Sequence, residues 1–467
     1  MTARRSVNFG DLITGILIDE IDGTPYLAAT LRLDENAGIR VEIPYIDSPG
    51  VRQFDATVQW FQSEQPPGNL LLTSLDGDVS LFDCRYAGHT VNYPRGIGLG
   101  KVMPSNVVLG RRDGDFHEPL KVKELRSQID GLIEWTGFGA IERTHGTDDT
   151  GVVKKVTIEV AALSEISWRQ GSAVMRLGGN WNLDPAPNRI TVSENTSLIS
   201  SFEDPQTIEV HLAEHRKVAA LLSFIFGCAI FFRRHDVRDS RFNRKTLNRK
   251  VVEVPFFQLI SRDTVKEHAK PRPVQGSLAR PICEFGALSS KGLEEWARKY
   301  DDWSRFIHPA VSALNRPGAI LENLVVNAAM SMEAAGGLIG PVVGEVAAPN
   351  GKPITATYMF RCLVESGWDW SDLCDSTVGL ARAIANNYNT IKHFDRGHFP
   401  DPTETYLISS IASLVVRMLA IRAACPEESS IELFGARVHE FERLKSEFSA
   451  NGLIVDGAGD FVTRTVL

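Results

Sequence analysis

The chain has 467 residues, 43% apolar and 23% charged, enough for two or three domains with large cores. That balance excludes long disordered tracts, and a net charge of -8 excludes a protein that coats nucleic acid with its whole surface. Cys84, Cys228, Cys283, Cys362, Cys374 and Cys425 are scattered without a CxxC pair, which predicts buried reduced thiols, neither a disulfide framework nor a cysteine zinc site.

Residues 10–200 read as strands and turns. Asp22-Gly23 separates residues 15–18 from 26–33, and Asp76-Gly77 separates 70–74 from 79–84. Asp-Gly supplies the positive φ angles of a type I′ turn, so each pair predicts a hairpin. Gly96-Ile97-Gly98-Leu99-Gly100-Lys101 fails as a phosphate loop, because Arg95 stands at its first glycine and Val102 follows the lysine. A flexible turn is the expectation there. Val156, Ile158 and Val160 alternate with polar residues, the pattern of a half-buried strand. Such a density of short strands predicts a sandwich or a barrel-like sheet.

Asp204-Pro205 predicts a helix start, with Asp as N-cap and Pro first in the helix. Ile208, Leu212, Leu222 and Phe226 share a face of this core helix. It carries the longest apolar run, residues 218–232, which at 15 residues falls short of the ~20 that span a bilayer. With no apolar leader block at the N-terminus, a cytoplasmic protein without membrane contact is expected.

Within that helix, His211-Leu212-Ala213-Glu214-His215 matches the H-x-x-E-H string of inverted zinc peptidases, whose two histidines share a helix face. A third ligand would have to come from Glu284, Glu294 or Glu295. The competing reading turns His215 inward with His211 at the margin, and a zinc peptidase ranks third among the functions considered. Next comes a cationic stretch, Arg233, Arg234, Arg238, Arg241, Arg244, Lys245, Arg249 and Lys250, opposed only by Asp236 and Asp239. With Phe242 inside it, the stretch is a candidate for RNA, with Arg241, Arg244, Lys245 and Arg249 on phosphates and the ring on a base. The bland alternative is a solvated hairpin. Residues 251–260 read as one more strand.

Pro271, Pro273 and Pro281 mark a linker. The expected division is a β-rich domain over residues 1–265, a linker over 266–290 and a helical domain over 291–467. Leu293, Trp296, Tyr300 and Ile307 mark the first helix, and others are expected near 319–335, 354–365, 377–393, 402–424 and 431–450. The helix at 402 has a clear start, with Asp401 as cap, Pro402 first and Glu404 third, and an inner face of Leu407, Ile411, Leu414 and Met418. The fold class is therefore α+β, a β-rich half with a core helix followed by a helical bundle.

Arg382, Asn386, Asn389 and His393 stand at i, i+4, i+7 and i+11, on one face of the 377–393 helix, with Lys392, Arg396 and His398 at its end. A histidine in that company suits proton transfer near neutral pH, and an ordinary solvated face is the plain alternative.

Residues 76–84, Pro104-Ser105-Asn106-Val107-Val108-Leu109-Gly110 and Leu132-Ile133-Glu134-Trp135 resemble the N-terminal domain of the ApeA family of anti-phage proteins. The helix with the Leu-Leu-Ser-Phe core is similar to the one that follows in that family. Leu321-Glu322-Asn323, Met330-Ser331-Met332-Glu333 and Tyr388-Asn389-Thr390-Ile391-Lys392-His393 resemble a HEPN domain, a helical bundle that often cuts RNA as a dimer without metal. The resemblance implies abortive-infection defence, an unknown phage-derived trigger, RNA as partner, no cofactor or metal, and His393 as the active histidine. The HEPN motif is an Arg, then four to six residues, then the His, and at the permitted arginine positions this chain has Asn386, Asn387 and Tyr388. Lys392 or Arg396 is then the substitute cation, or Arg382 reaches His393 of a second copy across a homodimer axis, with Asn389 near the axis. A non-catalytic HEPN-like RNA-binding or regulatory module is the alternative.

Overall fold

The computed structural model describes residues 10–19, 26–34, 38–48, 50–114, 117–161, 165–186, 189–245, 251–273, 278, 280–316, 318–393, 398–425 and 439–464. The first half is a ladder of antiparallel strands. β1 (Leu12–Ile18), β2 (Leu27–Asp34) and β3 (Gly38–Ile46) precede helix α1 (Asp55–Gln62), and then come β4 (Leu70–Ser74), β5 (Gly77–Phe82), β6 (Arg85–Asn92), β7 (Ile97–Met103) and β8 (Asn106–Val108). β9 (Lys121–Ile129) leads through α2 (Leu132–Thr136) to an exposed hairpin, β10 (Ile141–Thr147) and β11 (Val153–Val160). β12 (Ile166–Gln170), β13 (Ala173–Ala186) and β14 (Arg189–Thr207) then enter the core helix α3 (Ile208–Phe226). β15 (Phe232–Arg238), β16 (Arg244–Lys245), β17 (Val251–Glu253) and β18 (Phe257–Ser261) complete this half, with α4 (Arg262–His268) behind them.

Fourteen of these strands form one continuous sheet, ordered β12-β13-β14-β9-β15-β18-β8-β5-β4-β1-β2-β3-β7-β6. It is not two separate sheets, so a sandwich in the strict sense is replaced by one long ladder. That ladder curls, because α4 touches β3 as well as β15 and β18, and Val265 of α4 is buried in the core of β1–β7. Open sheets of this length curl because strand twist accumulates along them.

β1 pairs with β2 and β4 with β5, as expected of two hairpins, although the Asp22-Gly23 turn of the first lies outside the described residues. At the second, φ is positive only at Gly77 (+131°) and not at Asp76, so the turn is not type I′. Leu75 and Asp76 form the loop, and the Ser74 hydroxyl accepts from the Asp76 N–H. The glycine string is also not a turn: residues 97–103 are strand β7, and its glycines make room for rings. A Cβ at Gly98 would lie 2.2 Å from the Tyr45 ring, and one at Gly100 2.0 Å from the Phe61 ring. Tyr45 and Phe61 stack 5.4 Å apart over this strip.

The expected helix start at Asp204-Pro205 is corrected to Ile208. β14 runs on through that pair because Gln206 and Thr207 rejoin β9 opposite Val122 and Lys121 after a register shift. Residues 251–260 divide into β17 and β18 around Pro255, which lacks the N–H a ladder needs.

The second half is helical: α5 (Phe285–Lys299), α6 (Ser304–Leu314), α7 (Leu321–Ile339), α8 (Thr355–Ser366), α9 (Thr377–Lys392), α10 (Pro402–Ala424) and α11 (His439–Asn451). The single helix expected through Leu293 and Ile307 is two, broken after Lys299. α5 is itself interrupted at Ser289, where φ is +53°. The expected linker is packed: Leu278, Ile282 and Cys283 are buried, and the Trp135 indole donates to the Cys283 carbonyl at 2.9 Å. One continuous core runs from Trp168 and Met175 of the sheet through α3 into α7 and α10. Among the described residues, α10 alone is long and apolar enough to cross a membrane, and 83% of its apolar window is buried inside the protein.

Candidate functional site

α10 begins as its sequence dictates, with the Asp401 carboxylate accepting from the N–H groups of Thr403 and Glu404. α9 is capped by the Ser376 hydroxyl, which accepts from the Gly379 N–H. It buries Leu380, Ile384 and Tyr388 against α7 and α8 and ends at His393, whose backbone leaves the helix. At that end, Asn386, Lys392 and His393 are exposed and Asn389 is half-buried.

The cation and the imidazole of this end are held differently. The Lys392 ammonium donates to the Tyr388 hydroxyl at 3.2 Å and lies 5.2 Å from the centre of the Tyr388 ring. Tyr388 is buried and donates to Glu333 Oε2 at 3.4 Å, while Glu333 Oε1 accepts from the Thr355 hydroxyl at 3.0 Å. The hydrogen bond to Tyr388 raises the Lys392 pKa, so the group stays cationic through the physiological range. Three helices thus fix one cation at the residue that precedes the exposed His393. A fixed cation can hold an oxyanion while an exposed imidazole within reach of it moves a proton.

Arg382 lies elsewhere. It sits about three helical turns before His393, half-buried, and donates to the Gly457 carbonyl at 2.9 Å. Gly459 packs on it so closely that a Cβ there would lie 2.6 Å from that of Arg382. One chain therefore does not bring Arg382 and His393 together. Arg396 lies outside the described residues. Glu333 and Thr355 escaped the sequence reading of this site, although Glu333 is the only charged residue between Leu324 and Ile339.

Within the basic stretch, the four arginines whose side chains are described are engaged by the fold. Arg233 donates to Asp130 at 2.7 Å, Arg234 to Asp236 at 2.9 Å, and Arg238 pairs with Glu124. Arg241 donates to Asp239 at 2.8 Å and to the Lys121 carbonyl, and its hydrogen bond with Asp239 raises its pKa further. Phe242, expected to stack on a base, is fully buried against Phe82 and Phe257. Arg244 and Lys245 form the short strand β16; their side chains, and Arg249 and Lys250 entirely, lie outside the described residues. Arg241→Ala should therefore lower stability by about 1–2 kcal/mol in urea unfolding, by leaving Asp239 short of donors. Weaker RNA binding at unchanged stability would show instead that this guanidinium is available to phosphate.

The H-x-x-E-H string folds into a different device. His211 and His215 are both fully buried, so His211 is not marginal, while Glu214 points away and accepts from Gln170 at 2.8 Å. His211 Nε2 must donate to the Val122 carbonyl (3.0 Å), which leaves its Nδ1 to accept from the Ser200 hydroxyl (2.7 Å). Ser200 then accepts from His215 Nε2 (2.8 Å), His215 Nδ1 accepts from Ser127 (2.6 Å), and Ser127 accepts from His235 Nδ1 (2.7 Å). This one-way chain fixes every proton and occupies both nitrogens of His211 and His215, leaving no lone pair for zinc. Among the described residues no cluster of His, Cys, Asp or Glu could hold a metal, and the carboxylate of Glu295 is bound by Arg298 and Lys299. The zinc-peptidase reading is therefore discarded.

Residues 20–240 match the family model described as ApeA N-terminal domain 1. The match runs from before β2 to just past β15 and takes in α3 and the histidine chain, while α9 and its exposed end lie beyond it. No curated protein and no solved structure matches the chain.

Proposed function

From the ApeA N-terminal domain 1 that the chain carries over residues 20–240, we propose an anti-phage defence protein whose helical half is a HEPN-like effector that cleaves RNA without a metal. The observation that supports the catalytic part is the end of α9, where Lys392 is anchored through Tyr388 to Glu333 beside the exposed His393. In this reading the RNA 2′-hydroxyl attacks the adjacent phosphodiester. His393 takes the proton from that hydroxyl, the P–O5′ bond breaks as the 5′-oxygen takes up a proton from water, leaving a 2′,3′-cyclic phosphate, and Lys392 offsets the charge gathering on the phosphorane.

Arg382 and His393 are eleven residues apart, about 16 Å along the axis at ~1.5 Å per residue, too far to share one phosphate within a chain. Antiparallel pairing of α9 with its twin across a two-fold axis would set Arg382 of one copy near His393 of the other, with Asn389 close to the axis. The proposal thus includes a homodimer. The competing reading, a HEPN-like module that binds RNA without cutting it, is favoured by one observation. With four to six residues between it and the histidine, the motif arginine would stand at Asn386, Asn387 or Tyr388, the last two of them buried, so no arginine serves there.

Expression in a bacterial host under phage challenge, with RNA integrity followed in the same cells, separates the two readings. His393→Ala should lower RNA cleavage at least about 100-fold, the usual worth of a general acid–base group, and remove protection, and EDTA should leave cleavage by the purified protein intact. RNA that stays whole with the wild-type protein present and protecting rejects the nuclease in favour of the binding module.

A further inference from the structure

The hairpin of β10 and β11 pairs with no other strand. Its root is pinned by Glu194 of β14, whose carboxylate accepts from the N–H groups of Ala140 and Ile141 at 2.6 and 2.8 Å. Beyond that root, residues 153–159 of β11 are all exposed, on both faces of the ribbon. Two strands alone are marginal in water, and a sheet that holds by itself needs three or more.

Two features mark the place of a further strand. Ala161 donates to the Ala140 carbonyl at the end of the paired segment. In the alternation of an antiparallel ladder, Lys155, Thr157 and Glu159 then turn their backbone groups to β10, while Val156, Ile158 and Val160 turn theirs to the open edge. β11 thus carries a row of ladder donors and acceptors that its own hairpin does not use. The second feature is charge. Glu142 stands directly opposite Glu159, a like-charge pair that weakens the hairpin, and neither carboxylate has an ion pair among the described residues.

We propose that β11 pairs antiparallel with β11 of a second copy across a two-fold axis at Thr157, making one four-stranded sheet. The side chains select this register. It sets Thr157 against its twin, and on either side of it Val156 against Ile158 and Lys155 against Glu159. One row across the four strands then reads Glu142, Glu159, Lys155, Gly146, with the last two from the second copy. The lysine answers both carboxylates, and the glycine beside it leaves it room. Axes at Val156 or Ile158 leave Lys155 and Glu159 unmatched. β10 offers no such match, because an axis at Thr144 sets Arg143 against His145. A contact of one strand per copy is small, so the association is weak and belongs at high protein concentration.

Thr157→Cys tests the register, since residues facing each other across a ladder have Cα atoms about 4.5–5.5 Å apart, within disulfide reach. With oxidised glutathione, the full chain carrying this exposed cysteine should become a disulfide-linked dimer on non-reducing electrophoresis. Thr144→Cys, equally exposed but on β10, should cross-link no more than wild type. In the Thr157→Cys background, Lys155→Glu or Glu159→Lys should slow cross-linking about tenfold, and the two together should restore it. Ile158→Pro should abolish it, because that N–H faces the open edge and β10 does not use it. Thr157→Cys that cross-links no better than Thr144→Cys overturns the pairing. So does a double charge variant as slow as the single ones, the result expected if a foreign strand takes this edge. The cross-link reads β11 alone and needs no RNA cleavage, so this inference and the nuclease reading, with its pairing of α9, fail separately.

Discussion

Replacing Arg417 by methionine should destabilise the whole protein by about 3–5 kcal/mol, the usual cost of removing one partner from a buried charged network. The guanidinium comes from the middle of α10, is 5% exposed, and reaches the far end of α3. There Nε donates to the Phe224 carbonyl at 2.7 Å and a terminal nitrogen to that of Ile225 at 3.0 Å, while the other terminal nitrogen pairs with Glu440 at 3.3 Å. The last carbonyls of a helix have no partner within it, so Arg417 acts as a cap supplied by another element. Burial pulls its pKa below the ordinary arginine value, and Glu440 works in the opposite direction, so the group stays charged. Methionine keeps the volume and removes every donor, leaving the Phe224 carbonyl and the Glu440 carboxylate short of a donor and the Ile225 carbonyl with the Ile282 N–H. Lysine should recover only part of the loss, because one ammonium cannot reproduce the planar fork. Urea unfolding with an unchanged slope is the measurement, and a loss below about 1 kcal/mol for Arg417→Met would show that the carbonyls find other donors. Gly227 belongs to the same joint. Its φ is +65°, and a Cβ there would lie 2.7 Å from the Arg417 guanidinium.

Features set by neighbours in sequence were legible, and those set by distant strands were not. The helix at 402–424 is read correctly at both ends, because its cap and inner face are local: Leu407, Ile411, Leu414 and Met418 are all buried. The helix at 204 is misplaced because β14 continues past Asp204-Pro205 to meet β9, some eighty residues earlier. Alternation at Val156, Ile158 and Val160 does mark a strand, but a period of two says only that there are two faces, not that anything covers one. Val156 and Ile158 are in fact 52% and 53% exposed, on a hairpin that pairs only with itself. In the basic stretch, the acids that answer Arg233 and Arg238 are Asp130 and Glu124, from another part of the chain, so these pairings too are invisible locally. At the end of α9, Lys392 and His393 are readable from helical spacing. The anchor from Tyr388 to Glu333 is not, because it needs α7 and α9 side by side.

Stability should fall steeply between about pH 6.5 and pH 4, well before the paired carboxylates are lost. Burial holds His211 and His235 down to about 4 and His215 well below the ordinary 6.5. Asp236 beside His235 and the Val122 carbonyl at His211 oppose that shift without reversing it. The hydrogen bonds agree with the direction, because a fully protonated ring has two donors and each link of the chain admits one. In the unfolded chain these histidines take up protons near 6.5, while in the folded protein they stay neutral down to about 4. Between those values the unfolded state binds more protons, so stability rises with pH, is fully present above about 7 and is lost as pH falls. His211 and His235 each contribute on the order of 3 kcal/mol over that window, and His215 adds in the same direction. The carboxylates of Glu295 and Glu345, held near 2 by Arg298 and Arg361, act only at lower pH and so do not blur it. Unfolding free energy followed from pH 7.5 to 5 should have a slope approaching three protons per molecule, and His235→Asn should reduce it by about one. Ser200→Ala should cost about 2–3 kcal/mol at pH 7.5, because His215 Nε2 loses its acceptor and His211 Nδ1 its donor in a closed interior. A flat profile between pH 7.5 and 5, or a slope that His235→Asn leaves unchanged, would mean that the three rings accept protons in place and that the chain is not fixed in one direction.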